Sequence, residues 1–241
     1  IALAFAERGS RIVICGRTEA TLDTAVDEIR KRGAKAWSFV SDVSDYHGLE
    51  NLVSNAAQAM GGIDILINNA VTSGSAPFDK LTDEMFRYHI DVKLMAYIRL
   101  ARLVLPYMQS NEWGRVVNIG GMTARIIAPL RMTNGVVNAG VTNFTKSLAN
   151  HLGSSNITVN CIHPGMTVTD RMKALFERRA LDADVSYQEI EAETVSEIPM
   201  GKLILPEDIA NSVLFFCSPL AKMITGQAIA VDGGSGTAVN Y

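Results

Sequence analysis

The sequence has few cysteines and no pattern that would pair them. Cys15, Cys161 and Cys217 all lie in apolar runs, and no two of them form a CxxC motif. An odd count without such pairing argues against a disulfide framework and against a metal site. We therefore expect three buried thiols in a reducing compartment, by default the cytoplasm.

An excess of positive charge and long hydrophobic runs are also missing. The 241 residues include 22 lysines and arginines against 25 acidic residues, which gives a net charge of −3. This balance indicates neither a nucleic-acid partner nor a membrane-surface partner. No apolar run approaches the roughly 18 residues that span a bilayer. The expected partner is therefore a small molecule.

Short apolar runs rich in β-branched residues alternate with longer amphipathic segments. The runs predict strands at 11–15, 36–40, 64–67, 115–119, 158–162 and 228–231. The segments between them predict helices at 19–32, 45–60, 83–109, 133–152 and 206–217. Apolar strands separated by helices are typical of a parallel sheet covered on both faces. No repeat or linker divides the chain, so we predict an α/β fold, a doubly wound, Rossmann-type parallel sheet in a single domain over 1–241.

The segment 83–109 has the clearest helical period. Apolar side chains recur every three or four residues, at Phe86, Ile90, Leu94, Tyr97, Ala101 and Leu105. Such a stripe places them on one face of a helix. Burial explains the stripe fully, and we assign it no function.

The chain opens on a segment, 1–9, with the pattern of the last turns of a helix. A doubly wound nucleotide-binding fold has a first strand and a glycine-rich turn ahead of such a helix. We therefore expect about twenty further residues, a strand and a turn, before Ile1 in the working protein.

Five short motifs lie at or just after the predicted strands. They are RIVICGR at 11–17, SDV at 41–43, DILINNA at 64–70, PGMTVT at 164–169 and VDGG at 231–234. In this order and spacing they resemble the short-chain dehydrogenase/reductase family, from Ile1 to about Gly234. The resemblance implies a nicotinamide cofactor in the crevice at the carboxyl ends of the strands.

The residues after the first predicted strand imply a preference for NADP over NAD. Members of the family that prefer NAD carry an acid there, which accepts hydrogen bonds from the ribose hydroxyls. This chain has Gly16 followed by Arg17. A guanidinium can pair with a 2′-phosphate that an acid would repel. The alternative is that Arg17 is an ordinary solvated arginine.

Two further motifs match cofactor-binding positions of the family. Asp42 and Val43 match the pair that contacts adenine, although Asp42 could instead cap the following helix. Asn69 and Ala70 belong to the asparagine-rich turn that approaches the cofactor. The family usually continues with glycine, whereas this chain has Val71, which disfavours positive φ and could crowd the cofactor.

The resemblance places the nicotinamide end of the cofactor near a later motif. Pro164, Gly165, Met166 and Thr169 match the segment that meets the carboxamide through backbone groups and a hydroxyl. The stretch from about 171 to 199 then occupies the position of the variable substrate lid, and it is charged and irregular as a lid would be.

The residues expected to perform proton chemistry are replaced. Members of the family use a serine, a tyrosine and a lysine, and the lysine lowers the tyrosine pKa from about 10. Aligned through 137–149, this chain has Gly121 at the serine position, Asn134 at the tyrosine position and Asn138 at the lysine position. Asp91 stands where a relay asparagine is usual.

Other side chains could reach the same pocket. Arg125 and Arg131 could bind an anionic substrate, but arginine does not exchange protons near pH 7. His163, directly before Pro164, is a candidate general acid. The alternative is that it is a histidine packed before the turn.

We therefore expect an NADP-binding oxidoreductase of this family with slow or unusual redox chemistry on a small carbonyl or alcohol. Loss of a positioned acid costs about 10² to 10⁴ in rate. The alternatives are a non-redox protein that senses its cofactor and a subunit that stabilises an active homologue. The resemblance also implies a homotetramer built on the helices 83–109 and 133–152, with Met95, Tyr97 and Phe144 among the interface residues.

Overall fold

The computed structural model describes residues 1–72 and 74–237, and their strands form two parallel sheets. The strands are β1 (Ile12–Gly16), β2 (Ala36–Val40), β3 (Ile65–Asn68), β4 (Gly114–Ile119), β5 (Ile157–Pro164) and β6 (Ala228–Val231). β1 pairs with β2, and the other four form a sheet in the order β3-β4-β5-β6. The predicted single-domain α/β fold with parallel strands is confirmed.

All the described helices except the first lie between strands, and the five helical segments predicted there are observed close to their predicted bounds, with 83–109 divided into two helices. They are α1 (Ala2–Ala6), α2 (Glu19–Lys31), α3 (Tyr46–Met60), α4 (Asp83–His89), α5 (Ala96–Ser110), α6 (Met132–His151), α7 (Asp170–Ala183), α8 (Tyr187–Ser196) and α9 (Pro206–Cys217). A π-helical stretch, Ile90–Met95, joins α4 to α5. None of the helices described is both long and apolar enough to cross a membrane.

Helices cover both faces of the larger sheet. Neighbouring residues of β4 point to opposite faces, because side chains alternate along a strand. Val116 packs in a cluster with α3 and α5, whereas Val117 packs in a second cluster with α9. All of β4 is buried. Each fully buried valine contributes about 1.5–3 kcal/mol, so these two faces supply much of the core.

The segment 171–199 was predicted to be irregular, but in the structure it is mostly helical. Met172, Phe176 and Ala180 lie four residues apart and form a buried stripe on α7, which packs against Ile190 of α8. The many charged residues of the segment lie on the outer faces of the helices. They dominate its composition, so the narrow apolar stripe is difficult to detect in the sequence. Ser186 begins α8 with a reciprocal capping box.

One of the three thiols is not buried. Cys161 and Cys217 are buried as predicted, but Cys15 is exposed. It shares a face of β1 with Val13, which packs against the core cluster beneath α3. Cys15 lies two residues nearer the carboxyl end of the strand and is not part of this cluster.

Candidate functional site

The carboxyl ends of the strands lie side by side in both sheets. Gly16 is in register with Val40, and Asn68 is in register with Asn118. Because all the strands are parallel, the loops that follow them open at the same edge of each sheet. The structure therefore gathers the predicted motifs at strand ends that face one way.

Arg17 and Asp42 lie at the ends of β1 and β2. Arg17 is exposed, and its Nη1 donates to the hydroxyl of Tyr88 at 3.2 Å. Asp42 accepts hydrogen bonds from the backbone N–H and the hydroxyl of Ser44 at 2.9 and 2.7 Å. These bonds, with the nearby positive charge of Arg17, lower the pKa of Asp42. Asp42 is therefore a carboxylate at neutral pH.

The helix cap considered for Asp42 is made by another residue. Asp45 begins α3, and its carboxylate accepts from the backbone N–H groups of His47 and Gly48 at 3.1 Å each. Asp42 binds only within its own turn. Val43, beside it, packs into the core.

A buried chain of amides supports the turn after β3. Asn68 donates from Nδ2 to Asn118 Oδ1 at 2.8 Å, and Asn118 donates from Nδ2 to Thr145 Oγ1 at 2.9 Å. These bonds fasten β3 to β4 and β4 to α6. Asn69, the next residue, is exposed at the edge of the sheet.

The following residues continue this turn without strain. The hydroxyl of Tyr97 lies 2.9 Å from the carbonyl oxygen of Ala70 and 3.1 Å from that of Ile119. Val71 does not adopt positive φ, and its side chain is 54% exposed. Valine thus replaces the family's usual glycine in a turn whose conformation it tolerates.

The turn after β5 approaches the end of β6 closely. The Gly165 N–H donates to the carbonyl of Val231 at 2.9 Å. A Cβ at Gly165 would lie 2.7 Å from the Cα of Asp232, so only glycine fits there. Met166 packs against the cluster of α7 and α8, and Thr169 begins α7 as its N-cap.

Two of the three residues predicted to occupy the serine, tyrosine and lysine positions, Gly121 and Asn138, lie against each other. A Cβ on Gly121 would lie 2.7 Å from Asn138 Nδ2. Asn138 donates from this nitrogen to Thr123 Oγ1 at 2.8 Å. Asn134 precedes it by one turn of α6, and both amide oxygens are buried without a hydrogen-bond partner in the described part of the chain.

His163 is fully buried beside this cluster, and its contacts argue against a role as general acid. Its Nδ1 accepts from the Gly121 N–H at 3.0 Å, so Nε2 carries the proton and points to Thr142 Oγ1 at 3.3 Å. Burial, with the charges of Arg125 and Lys93, lowers its pKa to about 4. The ring is therefore neutral near pH 7 and holds the backbone of Gly121.

Asp91 does not reach the cluster. Its carboxylate pairs with Arg99 at 3.3 Å, and Arg99 also donates to the carbonyl of Ser44. Two residues further, Lys93 is buried and donates from Nζ to the carbonyl of Gly120 at 2.9 Å. Lys93 was not among the site residues predicted from the sequence.

The two arginines considered for substrate binding differ in burial and in contacts. Arg125 is half-buried and donates to the carbonyl of Ala228 at the start of β6. Arg131 is exposed at the beginning of α6. Arg125 lies near enough to His163 for its charge to lower the pKa of that ring.

A cavity of about 330 Å³ lies beside Asp42, between β2 and α3. It is lined in part by Asp42 but by no other residue predicted to bind the cofactor. No group of three His, Cys, Asp or Glu residues within 1–72 and 74–237 could hold a metal ion.

Comparison with known proteins identifies the class to which this fold and site belong. The family model described as enoyl-(acyl carrier protein) reductase matches residues 1–236. The chain belongs to the short-chain dehydrogenase/reductase family, as the motifs predicted.

Individual relatives match over nearly the whole chain. The 7alpha-hydroxysteroid dehydrogenase of Escherichia coli K12 is 33% identical over 97% of this chain and 88% of its own. The NADPH-dependent reductase BacG of Bacillus subtilis is 32% identical over 98% of this chain and 92% of its own. The structure of actinorhodin polyketide ketoreductase with NADPH superimposes with a TM-score of 0.93, at 29% identity, over 99% of this chain and 92% of that one.

Proposed function

We propose that this chain binds NADP(H) and performs slow or unusual redox chemistry on a small carbonyl or alcohol. The supporting observation is the pocket at Gly121, where α6 presents the amides of Asn134 and Asn138 instead of a phenol and an ammonium. An amide offers donors and acceptors but no acid–base capacity. The relatives that are named as NADPH-dependent or were crystallised with NADPH support the choice of cofactor.

The described residues fit a dinucleotide. Gly165 lets the turn after β5 pass close to the backbone of Asp232 at the end of β6, so these two strand ends lie together. Arg17 makes no ion pair in the described ranges, so its guanidinium is available to a 2′-phosphate. The residues expected to hold the cofactor are Gly16, Arg17, Asp42, Val43, Asn69, Ala70, Pro164, Gly165, Met166 and Thr169.

The chemistry divides between the cofactor and the chain. When bound, reduced nicotinamide supplies the hydride that a carbonyl carbon accepts. The chain binds and orients both molecules beside Gly121, which is partly exposed, and Asn138, which is buried. Slow turnover follows because no phenol stands at Asn134 to exchange a proton, a loss that costs about 10² to 10⁴ in rate.

A non-redox, cofactor-sensing role is the second candidate, because the same amides suit binding without turnover. We further propose a homotetramer that uses α5 and α6, with α7 and α8 as the substrate lid. Tyr97 does not belong to the proposed interface, because it is already buried inside the chain at 1% exposure. Light scattering at micromolar concentration tests the assembly, and a monomer would contradict it.

Fluorescence titration with NADPH and with NADH tests the proposal, with carbonyl compounds then added to the same samples. We expect NADPH to bind at least tenfold more tightly, about 1.4 kcal/mol, a modest value for one charged partner. Binding with slow oxidation of NADPH supports the redox function, and binding without oxidation supports the sensor. Equal dissociation constants for the two cofactors would contradict the role of Arg17.

A further inference from the structure

Lys93 is a buried ammonium in the π-helical stretch between α4 and α5. The residue is 5% exposed, and Nζ lies 6.0 Å from the centre of the Tyr97 ring. π-helical turns are rare and occur frequently at functional sites. An ammonium has three N–H donors, and the carbonyl of Gly120 accepts one of them. Two donors therefore remain for water or a ligand.

Lys93 lies next to Gly121, at the predicted serine position, where the neighbouring amides cannot donate a proton to a substrate. The residue that accepts its hydrogen bond, Gly120, directly precedes Gly121, whose Cβ position touches Asn138. The ammonium is thus one peptide unit away from the family's serine position. Asp91, on the same segment, is directed away to Arg99.

The surroundings of Lys93 contain no counter-ion. The ionisable groups that face it are Tyr97 on α5, Cys161 and His163 on β5 and Arg171 on α7. None of these is a carboxylate, and Lys93 forms no ion pair within the ranges described. A buried charge without a partner is costly, and a ligand oxygen with partial negative charge would compensate it.

The ionisation of Lys93 suits proton transfer near neutral pH. Burial lowers the pKa of Lys93 to about 8, with Cys161 opposing the shift and Arg171 adding to it. An ordinary lysine, with a pKa near 10.4, holds its proton too firmly. A general acid works best when its pKa lies near the working pH.

We propose that Lys93 is the catalytic acid of this pocket and protonates the oxygen of a bound carbonyl compound. The proposal rests on the function proposed above. As the carbonyl carbon accepts a hydride, the π electron pair of the C=O bond moves to oxygen. An N–H bond of Lys93 breaks and an O–H bond forms, leaving an alcohol and a neutral amine. Water then returns a proton to the amine.

The first test measures Lys93 directly, without turnover. Protein labelled with ¹³C at the lysine ε-carbon is titrated by NMR, and the Lys93 resonance is the one missing from Lys93→Arg. We expect a midpoint near 8, well below the ordinary lysine value of about 10.4. A midpoint near 10.4 for Lys93 would overturn the proposal.

The second test separates proton transfer from charge. Lys93→Arg keeps the positive charge and its donors but does not give up a proton, because the arginine pKa exceeds 12. NADPH binding is measured by fluorescence for the wild type, Lys93→Arg and the control Lys146→Arg, and reduction of a carbonyl panel is then followed from pH 6 to 10.

We expect all three proteins to bind NADPH. Reduction by Lys93→Arg should fall about 100-fold, the lower end of what a positioned acid contributes. The wild-type rate should decrease as pH rises through about 8, and Lys93→Arg should lose this limb of the profile. An undiminished rate in Lys93→Arg, or NADPH binding without any reduction by the wild type, would overturn the role of Lys93. Failure of the wild type to bind NADPH would instead refute the proposed function.

Discussion

Tyr97 fastens the turn after β3 to the end of β4, and its removal should weaken both. The ring is 1% exposed, and its hydroxyl lies within hydrogen-bond distance of the carbonyls of Ala70 and Ile119. A phenol has one proton, so it donates to one carbonyl at a time. Tyr97→Phe removes this donor and leaves the ring packing unchanged.

The cost follows from the burial of the two carbonyls. A net hydrogen bond contributes about 0.5–1.5 kcal/mol, and an unsatisfied buried acceptor costs about 1–3 kcal/mol. We expect Tyr97→Phe to lower the free energy of unfolding by about 1–2 kcal/mol. In a domain of this size that corresponds to a melting temperature lower by about 2–8 °C.

Thermal unfolding followed by circular dichroism measures this difference. Tyr107→Phe is the matched control, because the Tyr107 hydroxyl makes no hydrogen bond within 1–72 and 74–237. Its melting temperature should stay within about 1 °C of the wild type. Equal melting temperatures for the two variants would refute the assignment of a stabilising hydrogen bond to Tyr97.

Three further predictions concern the site. Because the pKa of His163 is lowered to about 4, the unfolded state binds more protons below pH 6.5, so stability should fall between pH 6.5 and 4. Urea unfolding should give a loss on the order of 2 kcal/mol at pH 5 that is smaller in His163→Gln. Arg17→Ala should weaken NADPH binding about tenfold and leave NADH binding unchanged, as fluorescence titration would detect. The combined change Gly121→Ser, Asn134→Tyr and Asn138→Lys should raise ketone reduction above the sum of the single changes, and simple additivity would contradict that.

Much of the fold was predictable, because the strands are apolar runs with distinct helical patterns between them. The segment 171–199 was not, since its stripe of Met172, Phe176 and Ala180 is narrow and the charged residues dominate its composition. The exposure of Cys15 depends on which elements cover the end of β1, and local sequence does not contain this information.

The catalytic pocket was predictable only in part. Alignment along α6 pointed to Gly121, Asn134 and Asn138, and the structure places the Cβ position of Gly121 against Asn138. Lys93 escaped notice because lysine is rarely buried, and the π-helical stretch shifts the helical phase on which its burial depends. Its spacing of four from His89 and from Tyr97, both buried, was the available signal.

We propose that the chain binds NADP(H) in a site without a phenol, so that turnover is slow. The most direct measurement mixes preformed protein–NADPH complex with simple ketones and follows the loss of reduced nicotinamide. Against a typical enzyme rate of about 10 s⁻¹, we expect roughly 0.1 to 0.001 s⁻¹. Reduction of a simple ketone at several turnovers per second would contradict this claim.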